Sequence, residues 1–144
     1  MQQKPKRAPT AVLFICTQNA IRSPMAAALM HHRLGHKIYV ASAGLKAGEA
    51  DPFVGQIMEE VGLDLTRHKP HTFEDLADST FDLAITLSSE AEDHAREMAK
   101  TLAIEIEHWP TPDPSQTQGS RDQILEAYRE VRKLLEQRIN QRFS

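Results

Sequence analysis

The chain has 144 residues, of which 40% are hydrophobic and 26% charged, a size and composition typical of one globular domain. Its single cysteine excludes an internal disulfide and the zinc and redox motifs that need several thiols. Its net charge of −3 provides no general attraction to nucleic acid or anionic lipid, so we expect neither a nucleic acid nor a membrane as a partner.

The N-terminal segment is basic and carries no acid, and we interpret residues 1–9 as a flexible basic tail before a domain that spans 10–144. The apolar run that follows, at 11–16, is only six residues long. A secretory signal needs a longer apolar stretch, and a membrane span needs about 20 apolar residues. We therefore expect a cytoplasmic protein. The oligomeric state is left open by the sequence.

Apolar, β-branched runs alternate with helical patterns along the rest of the chain. Strands are predicted at 11–15, 38–41, 81–87 and 104–108, and helices at 23–35, 51–62, 89–102 and from 120 onwards. Ser23 before Pro24 and Asp51 before Pro52 are typical helix starts. Leu102 is expected to end the apolar stripe of the third helix.

This alternation of strands and helices predicts the fold class. It favours a single α/β domain, in which a doubly wound, four-stranded parallel sheet has helices on both faces. Ligands of such sheets bind beyond the carboxyl ends of the strands. The loop after the first strand is therefore the first place to look for a site.

That loop combines a thiol, an arginine and a hydroxyl. Cys16 and Arg22 are separated by Thr17, Gln18, Asn19, Ala20 and Ile21, and Ser23 and Pro24 follow. The N–H groups of such a loop and of a helix start converge on an anion, and an arginine donates to two of its oxygens. A thiol that faces this point is favoured as a nucleophilic thiolate. The alternative is a small buried residue at Cys16 and a surface ion pair at Arg22.

The motif C-x5-R-S-P between a strand and a helix resembles the low-molecular-weight protein tyrosine phosphatases and the arsenate reductases built on the same fold. The similarity extends to SAG at 42–44, DPF at 51–53 and WPTPDP at 109–114. The resemblance implies the phosphotyrosine protein phosphatase I-like fold. It also implies a phosphatase that hydrolyses phosphomonoesters, either protein phosphotyrosine or related aryl and small phosphates, and that binds phosphate-like oxyanions. It implies neither a cofactor nor a metal.

The resemblance also implies the roles of individual residues. Cys16 would attack phosphorus and form a phosphocysteine intermediate, while Arg22 holds the transferring group. Asp113 would protonate the leaving oxygen and then act as the base for water. Ser23 would hydrogen-bond the Cys16 sulfur and ease its departure.

By the same resemblance, residues 17–21 would form the phosphate-binding loop. Asn19 would brace this loop rather than touch substrate, and His68 would support Asn19. Two positions depart from the family pattern. Gln18 replaces a glycine, so the backbone there must keep a negative φ and the loop must be reshaped or partly covered. Ile21 replaces a second cysteine, which makes protection by a loop disulfide impossible.

The rim departs from the pattern as well. Phosphotyrosine enzymes of this family carry aromatic rings beside the pocket, but this chain has Ala47 and Gly48 at one such place and Ser115 and Gln116 at the other. Each missing ring contact is worth roughly 0.5 to 1.5 kcal/mol beyond area burial. A preference for phosphotyrosine should therefore be weaker than the motif suggests.

Two other functions stay open. An arsenate reductase could use the same loop, but Ser88 and Ser89 stand near where the family's internal thiol relay begins, so an external low-molecular-weight thiol would be required. A catalytically weak domain that binds an oxyanion or a protein partner is the third possibility. The combination of Cys16, Arg22, Ser23 and Asp113 argues against it, since a binder does not need a general acid.

The remaining candidates are interpreted as structural. Trp109 is expected to pack at the mouth of the sheet. No pair of histidines has convincing metal-ligand spacing with a carboxylate. The histidines considered are His31, His32, His36, His71 and His94.

Overall fold

The structure is a computed structural model that describes residues 8–49, 51–65, 67–70, 72, 74–76 and 80–143. These residues form four strands, β1 (Ala11–Cys16), β2 (Tyr39–Gly44), β3 (Leu83–Thr86) and β4 (Glu105–His108). They also form four α-helices, α1 (Arg22–Leu34), α2 (Val54–Glu59), α3 (Ser89–Met98) and α4 (Arg121–Phe143). The greater part of the predicted basic tail, residues 1–7, lies outside the described residues, whereas Pro9 is buried.

The four strands form one parallel sheet in the order β2-β1-β3-β4. The chain runs from β1 outwards to β2 and then returns to the other side of β1 to form β3. A site is expected where the strand order reverses, at the carboxyl ends of β1 and β3. The predicted doubly wound parallel sheet is confirmed, and Cys16 lies at this switch point as the last residue of β1.

Helices cover both faces of the sheet because strand side chains alternate between the faces. Val12 and Phe14 of β1 belong to a large core with residues of α1, α2 and α4. Leu13 and Ile15 belong to a smaller core with α3, which contributes Ala91 and Ala95. The sheet is thus buried on both sides, and the carboxyl ends of its strands are left to form a site.

Helix α1 begins one residue before the predicted start, and the prediction of Ser23 as its cap is wrong. The cap position is Ile21, which makes no side-chain cap hydrogen bond. Ser23 is fully buried within the first turn, where its hydroxyl faces Cys16 rather than a backbone N–H. The serine that looked like a capping residue is therefore used by the loop.

The second helix starts near Asp51 as predicted, but it is shorter than predicted. Asp51 Oδ1 accepts hydrogen bonds from the backbone N–H groups of Phe53 at 2.8 Å and Val54 at 3.0 Å. Regular helix, however, extends only over Val54–Glu59. Asp51 Oδ2 accepts a hydrogen bond of 2.8 Å from the Tyr128 hydroxyl, which links the start of α2 to α4.

The ends of other elements differ from prediction. Helix α3 stops at Met98, and Leu102 is 56% exposed, so its place on an apolar stripe was wrong. The chain turns there, with Thr101 N bonded to Met98 O at 3.1 Å. Strand β2 continues to Gly44, three residues beyond its predicted end, since Ser42 pairs with Phe14 in the sheet although its side chain is polar.

Charged groups connect α2 to α4 on the outside of the larger core. Glu60 forms ion pairs with Arg129 at 2.8 Å and Arg132 at 2.9 Å. Hydrogen bonds from Arg129 and Arg132 lower the pKa of Glu60 to about 2. Burial, followed by the hydrogen bond to Asp51, raises the pKa of Tyr128, so this hydroxyl stays a neutral donor. None of the helices in the described ranges has the length and apolar character needed to cross a bilayer.

Candidate active site

A cavity of about 310 Å³ lies at the carboxyl end of β1. Its floor and walls come from the loop after β1, from the segment after β2, from the first turn of α3 and from the chain before α4. The residues that line it are Cys16, Thr17, Gln18, Ala20, Ile21, Arg22, Lys46, Glu90, Asp113 and Ser115. Residues from four separate parts of the sequence thus meet at one opening.

Cys16 occupies the floor of this cavity, and only 2% of the residue is exposed. Its Sγ lies 2.9 Å from Ser23 Oγ and 3.2 Å from the backbone N–H of Asn19, which donates to it. Both contacts come from groups that can donate to sulfur, and such bonds are strongest when the acceptor is charged. The loop therefore places two hydrogen-bonding groups against the Cys16 sulfur.

The orientation of the Ser23 hydroxyl follows from its neighbours. Asn19 Nδ2 donates to Ser23 Oγ at 2.8 Å, so the hydroxyl hydrogen must point elsewhere. Two acceptors are within reach, Cys16 Sγ at 2.9 Å and Ala43 O at 3.4 Å. Ser23 can therefore donate to a Cys16 thiolate, whereas a protonated thiol can donate to Ser23 while Ser23 donates to Ala43 O.

Asn19 shapes the loop through its backbone. It is fully buried and has φ of 54°, the one positive φ among the non-glycine residues that the structure describes. Asparagine tolerates this left-handed conformation better than most residues do. His68 Nε2 donates to the Asn19 carbonyl at 2.8 Å, so His68 contacts the backbone of Asn19.

Gln18 keeps a negative φ, which meets the condition that the sequence set for a side chain at this position. Its carbonyl accepts a hydrogen bond of 2.9 Å from the Gly48 N–H. A Cβ atom on Gly48 would lie 2.6 Å from Gln18 Oε1 and 2.8 Å from Gln18 Cβ. The side chain of Gln18 is therefore accommodated because Gly48 has none.

Gly44 provides a second close approach. A Cβ atom there would lie 2.7 Å from Asn19 N and 2.7 Å from Lys46 O. This glycine, the last residue of β2, lets the loop after β1 pack directly on the neighbouring strand. The glycine of the SAG sequence is thereby explained by contact between two backbones.

Arg22 is the first residue of α1 and is partly buried at the cavity. Its Nη1 donates to the carbonyl of Thr111 at 3.0 Å, and Thr111 is held in turn by its own N–H to Leu87 O at 3.2 Å. Within the described ranges the other guanidinium nitrogens make no protein hydrogen bond. A guanidinium anchored at one nitrogen can present the others to an oxyanion.

Asp113 reaches the cavity from the chain before α4 and is held by Ser115. Its Oδ1 accepts from Ser115 N at 2.9 Å and from Ser115 Oγ at 2.7 Å. Its Oδ2 makes no hydrogen bond to another residue in the part of the chain that the structure describes. The aspartate thus both starts a short 3₁₀ turn at Pro114–Gln116 and faces the site.

Ser88 has a structural use of its own. Its side chain caps α3 by accepting from Ala91 N at 3.2 Å, and it receives a hydrogen bond of 3.1 Å from Thr17 Oγ1. Trp109 is 6% exposed and packs edge-on against Phe14 with ring centroids 5.9 Å apart, as expected of a packing residue.

No metal centre is indicated among the described residues. No group of three histidine, cysteine, aspartate or glutamate side chains within them is placed to hold a metal ion. His71, one of the histidines considered from the sequence, lies outside the described residues.

Two lining residues escaped sequence reasoning, Lys46 and Glu90. Each follows the carboxyl end of a strand that neighbours β1, Lys46 after β2 and Glu90 after β3. The signal that could have found them is topological, because loops at that edge of a parallel sheet face a common opening.

A buried thiol at a strand end, an arginine at a helix start and a facing aspartate form an arrangement that can hold an oxyanion against a nucleophilic sulfur. Residues 11–144 match the family model described as low molecular weight phosphotyrosine protein phosphatase, and the chain belongs to this family.

Relatives within this family carry different activities. The chain is 33% identical over 121 residues to arsenate reductase 1 of Staphylococcus epidermidis, covering 81% of this chain and 90% of that protein. It superposes on the tyrosine phosphatase Wzb of Escherichia coli K30, solved with sulphate, with a TM-score of 0.76, 26% identity and coverage of 93% and 96%. The YwlE arginine phosphatase of Geobacillus stearothermophilus gives a TM-score of 0.75, 25% identity and coverage of 92% and 89%.

Proposed function

We propose that this protein is a cytoplasmic phosphatase that hydrolyses phosphomonoesters through a phosphocysteine intermediate, with phosphotyrosine protein or related aryl and small phosphates as substrates. One observation carries the proposal. The Cys16 thiol, the Arg22 guanidinium and the Asp113 carboxylate line the same cavity of about 310 Å³. These are a nucleophile, an oxyanion holder and a proton donor.

In the first step the Cys16 thiolate attacks phosphorus while Arg22 and the N–H groups of the loop bind the equatorial oxygens. A P–S bond forms and the bond between phosphorus and the leaving oxygen breaks. Asp113, protonated at the free Oδ2, transfers its proton to that oxygen. Arg22 is already anchored to Thr111 O, which reduces the reorganisation that the transition state would need.

In the second step water attacks the phosphocysteine. Asp113, now ionised, takes a proton from the water, the P–S bond breaks and the thiolate returns. Ser23 stabilises the departing sulfur, because its hydroxyl lies 2.9 Å from Sγ and can donate to the thiolate. Asn19 and His68 act as positioning residues that hold the loop from behind.

Arsenate reduction is the second candidate, and the similarity to arsenate reductase 1 of Staphylococcus epidermidis favours it. Cys16 would displace water from arsenate to form an As–S bond. A second thiol would then attack the Cys16 sulfur, leaving As(III) and a mixed disulfide that another thiol reduces. The chain holds one cysteine, so both of these thiols must come from outside, such as glutathione.

A single comparison of two assays tests the proposal. Under reducing conditions we expect release of p-nitrophenol from p-nitrophenyl phosphate and of phenol from phenyl phosphate. Cys16→Ser should abolish both. Asp113→Asn should lower kcat/KM about 10²- to 10³-fold on phenyl phosphate and less on p-nitrophenyl phosphate, whose leaving group needs no proton. Asp122→Asn, an exposed aspartate of α4, serves as the matched control.

The same preparation is assayed for arsenate-dependent oxidation of glutathione, coupled to glutathione reductase. Thiol oxidation with no phosphate release would replace the phosphatase with the reductase. Binding of phosphate with neither activity would leave only the oxyanion-binding domain.

A further inference from the structure

The wall of the cavity is polar and charged, and the proposed nucleophile, Cys16, lies at its floor. No aromatic side chain is present among the described residues that line it. Arg22 and Asp113 take part in the proposed reaction. The other charged residues that line the cavity are Lys46 and Glu90, and both are exposed. An aryl leaving group would find no ring to stack on in this wall, but a charged one would find ionic groups.

Gln18 and Gly48 explain why the wall has this character. The side chain of Gln18 lies where a side chain on Gly48 would have to stand, with atoms 2.6 and 2.8 Å from the Gly48 Cβ position. An amide thus takes space that a ring attached to residue 48 would need. The wall on this side offers hydrogen bonds instead of a flat apolar surface.

Glu90 is the unexpected group in a cavity built for an anion. It lies in the first turn of α3, where a carboxylate is favoured by the helix dipole. Within the described ranges it forms no ion pair or hydrogen bond, not even with Lys46 in the same cavity. A free carboxylate beside a bound phosphate is unfavourable unless a positive charge lies between them.

We propose that Glu90 is a specificity-determining residue that selects phosphate carried by a cationic group, an ammonium or a guanidinium, because its unpartnered carboxylate shares the cavity with Cys16. This inference rests on the proposed phosphatase chemistry. The substrate's phosphate is bound by Arg22 and the loop, and its cationic carrier pairs with Glu90. Asp113 gives its proton to the leaving oxygen or nitrogen as the bond to phosphorus breaks.

The test compares three substrates, namely phosphoarginine, O-phosphoethanolamine and p-nitrophenyl phosphate, whose leaving group is uncharged. The readout is the ratio of kcat/KM on each cationic substrate to kcat/KM on p-nitrophenyl phosphate. Glu90→Gln should lower this ratio about tenfold, as expected for the loss of one charge-assisted hydrogen bond. Asp93→Asn removes a charge from the same helix at a residue that does not line the cavity, and should leave the ratio as in the wild type.

A fall in the ratio for phosphoarginine alone identifies a guanidinium carrier, and a fall for O-phosphoethanolamine alone identifies an ammonium carrier. An unchanged ratio, or an equal fall in Asp93→Asn, overturns the inference.

Equilibrium binding separates this inference from the phosphatase proposal. The three compounds are titrated into Cys16→Ser protein with and without Glu90→Gln. If the wild type turns over nothing but Glu90→Gln weakens binding of the cationic compounds alone, the phosphatase proposal fails and the selectivity stands. If binding shows no such preference either, both fail.

Discussion

The floor and the wall of the cavity are built in opposite ways. Cys16, Asn19 and Ser23 at the floor are at most 2% exposed and joined to one another by hydrogen bonds of 2.8 to 3.2 Å. Lys46 and Glu90 in the wall are exposed and, within the described ranges, unpaired. The floor residues depend on one another, whereas Lys46 or Glu90 can be replaced without breaking a hydrogen bond within the described residues. We therefore expect changes at the floor to affect the reaction and changes in the wall to affect substrate preference.

The largest effect is expected at the floor, from Arg22→Lys. An ammonium keeps the charge but lacks the planar fork, so it cannot hold Thr111 O and two phosphate oxygens together. We expect kcat on p-nitrophenyl phosphate to fall about 10²- to 10³-fold, the range for loss of one preorganised donor. Arg121→Lys, an exposed change at the start of α4, should retain full activity. Near-normal kcat in Arg22→Lys would contradict this prediction, because it would show that Arg22 can be substituted without loss of activity.

An intermediate effect is expected from Ser23→Ala. The sulfur loses its donor and becomes a poorer leaving group, so hydrolysis of phosphocysteine should slow about tenfold. Rapid mixing with p-nitrophenyl phosphate should then show a burst of p-nitrophenol that is larger, relative to the steady rate, than in the wild type.

The burst distinguishes chemistry from packing, since Asn19 Nδ2 also loses its acceptor and stability should fall by about 1 to 3 kcal/mol. A less stable protein with no burst would assign Ser23 to the fold alone. Ser89→Ala, exposed at the start of α3, is the matched control.

The smallest effect is expected in the wall, from Gln18→Gly combined with Gly48→Tyr. Removing the Gln18 side chain opens the space that a ring at residue 48 needs. One stacking contact should raise kcat/KM on phosphotyrosine, relative to O-phosphoethanolamine, about two- to tenfold. Gly48→Tyr alone should lower the melting temperature because it collides with Gln18. If the single and double variants behave alike, the two residues do not share one space.

The sequence predicted the sheet because its strands are continuous apolar runs, and it predicted the loop because a thiol, an arginine and a helix start stand close together in the chain. The same local signals misled at Ser23, since a serine before a proline reads as a cap whether its hydroxyl faces a backbone N–H or a sulfur. Strand β2 was cut short because Ser42 is polar, although the sheet register extends past it.

The wall could not be predicted for a different reason. Lys46 and Glu90 are ordinary exposed charges in their own segments, and they gain meaning only because β2 and β3 flank β1 in space. The sequence also does not reveal that the Gln18 side chain occupies the space beside Gly48, because the two residues are far apart in the chain. The residues expected to set substrate preference come together only in the folded chain, whereas most of those proposed for the reaction lie in one short motif.

Asp51 affects which helices of the domain unfold together. One of its carboxylate oxygens holds the start of α2 and the other holds Tyr128 of α4. Helix α2 has only six residues, too few to persist alone, so it depends on this attachment. The two helices should therefore unfold locally as one cooperative unit. Because α4 also packs against the 3₁₀ turn that begins at Asp113, the position of this aspartate is coupled to the stability of α2.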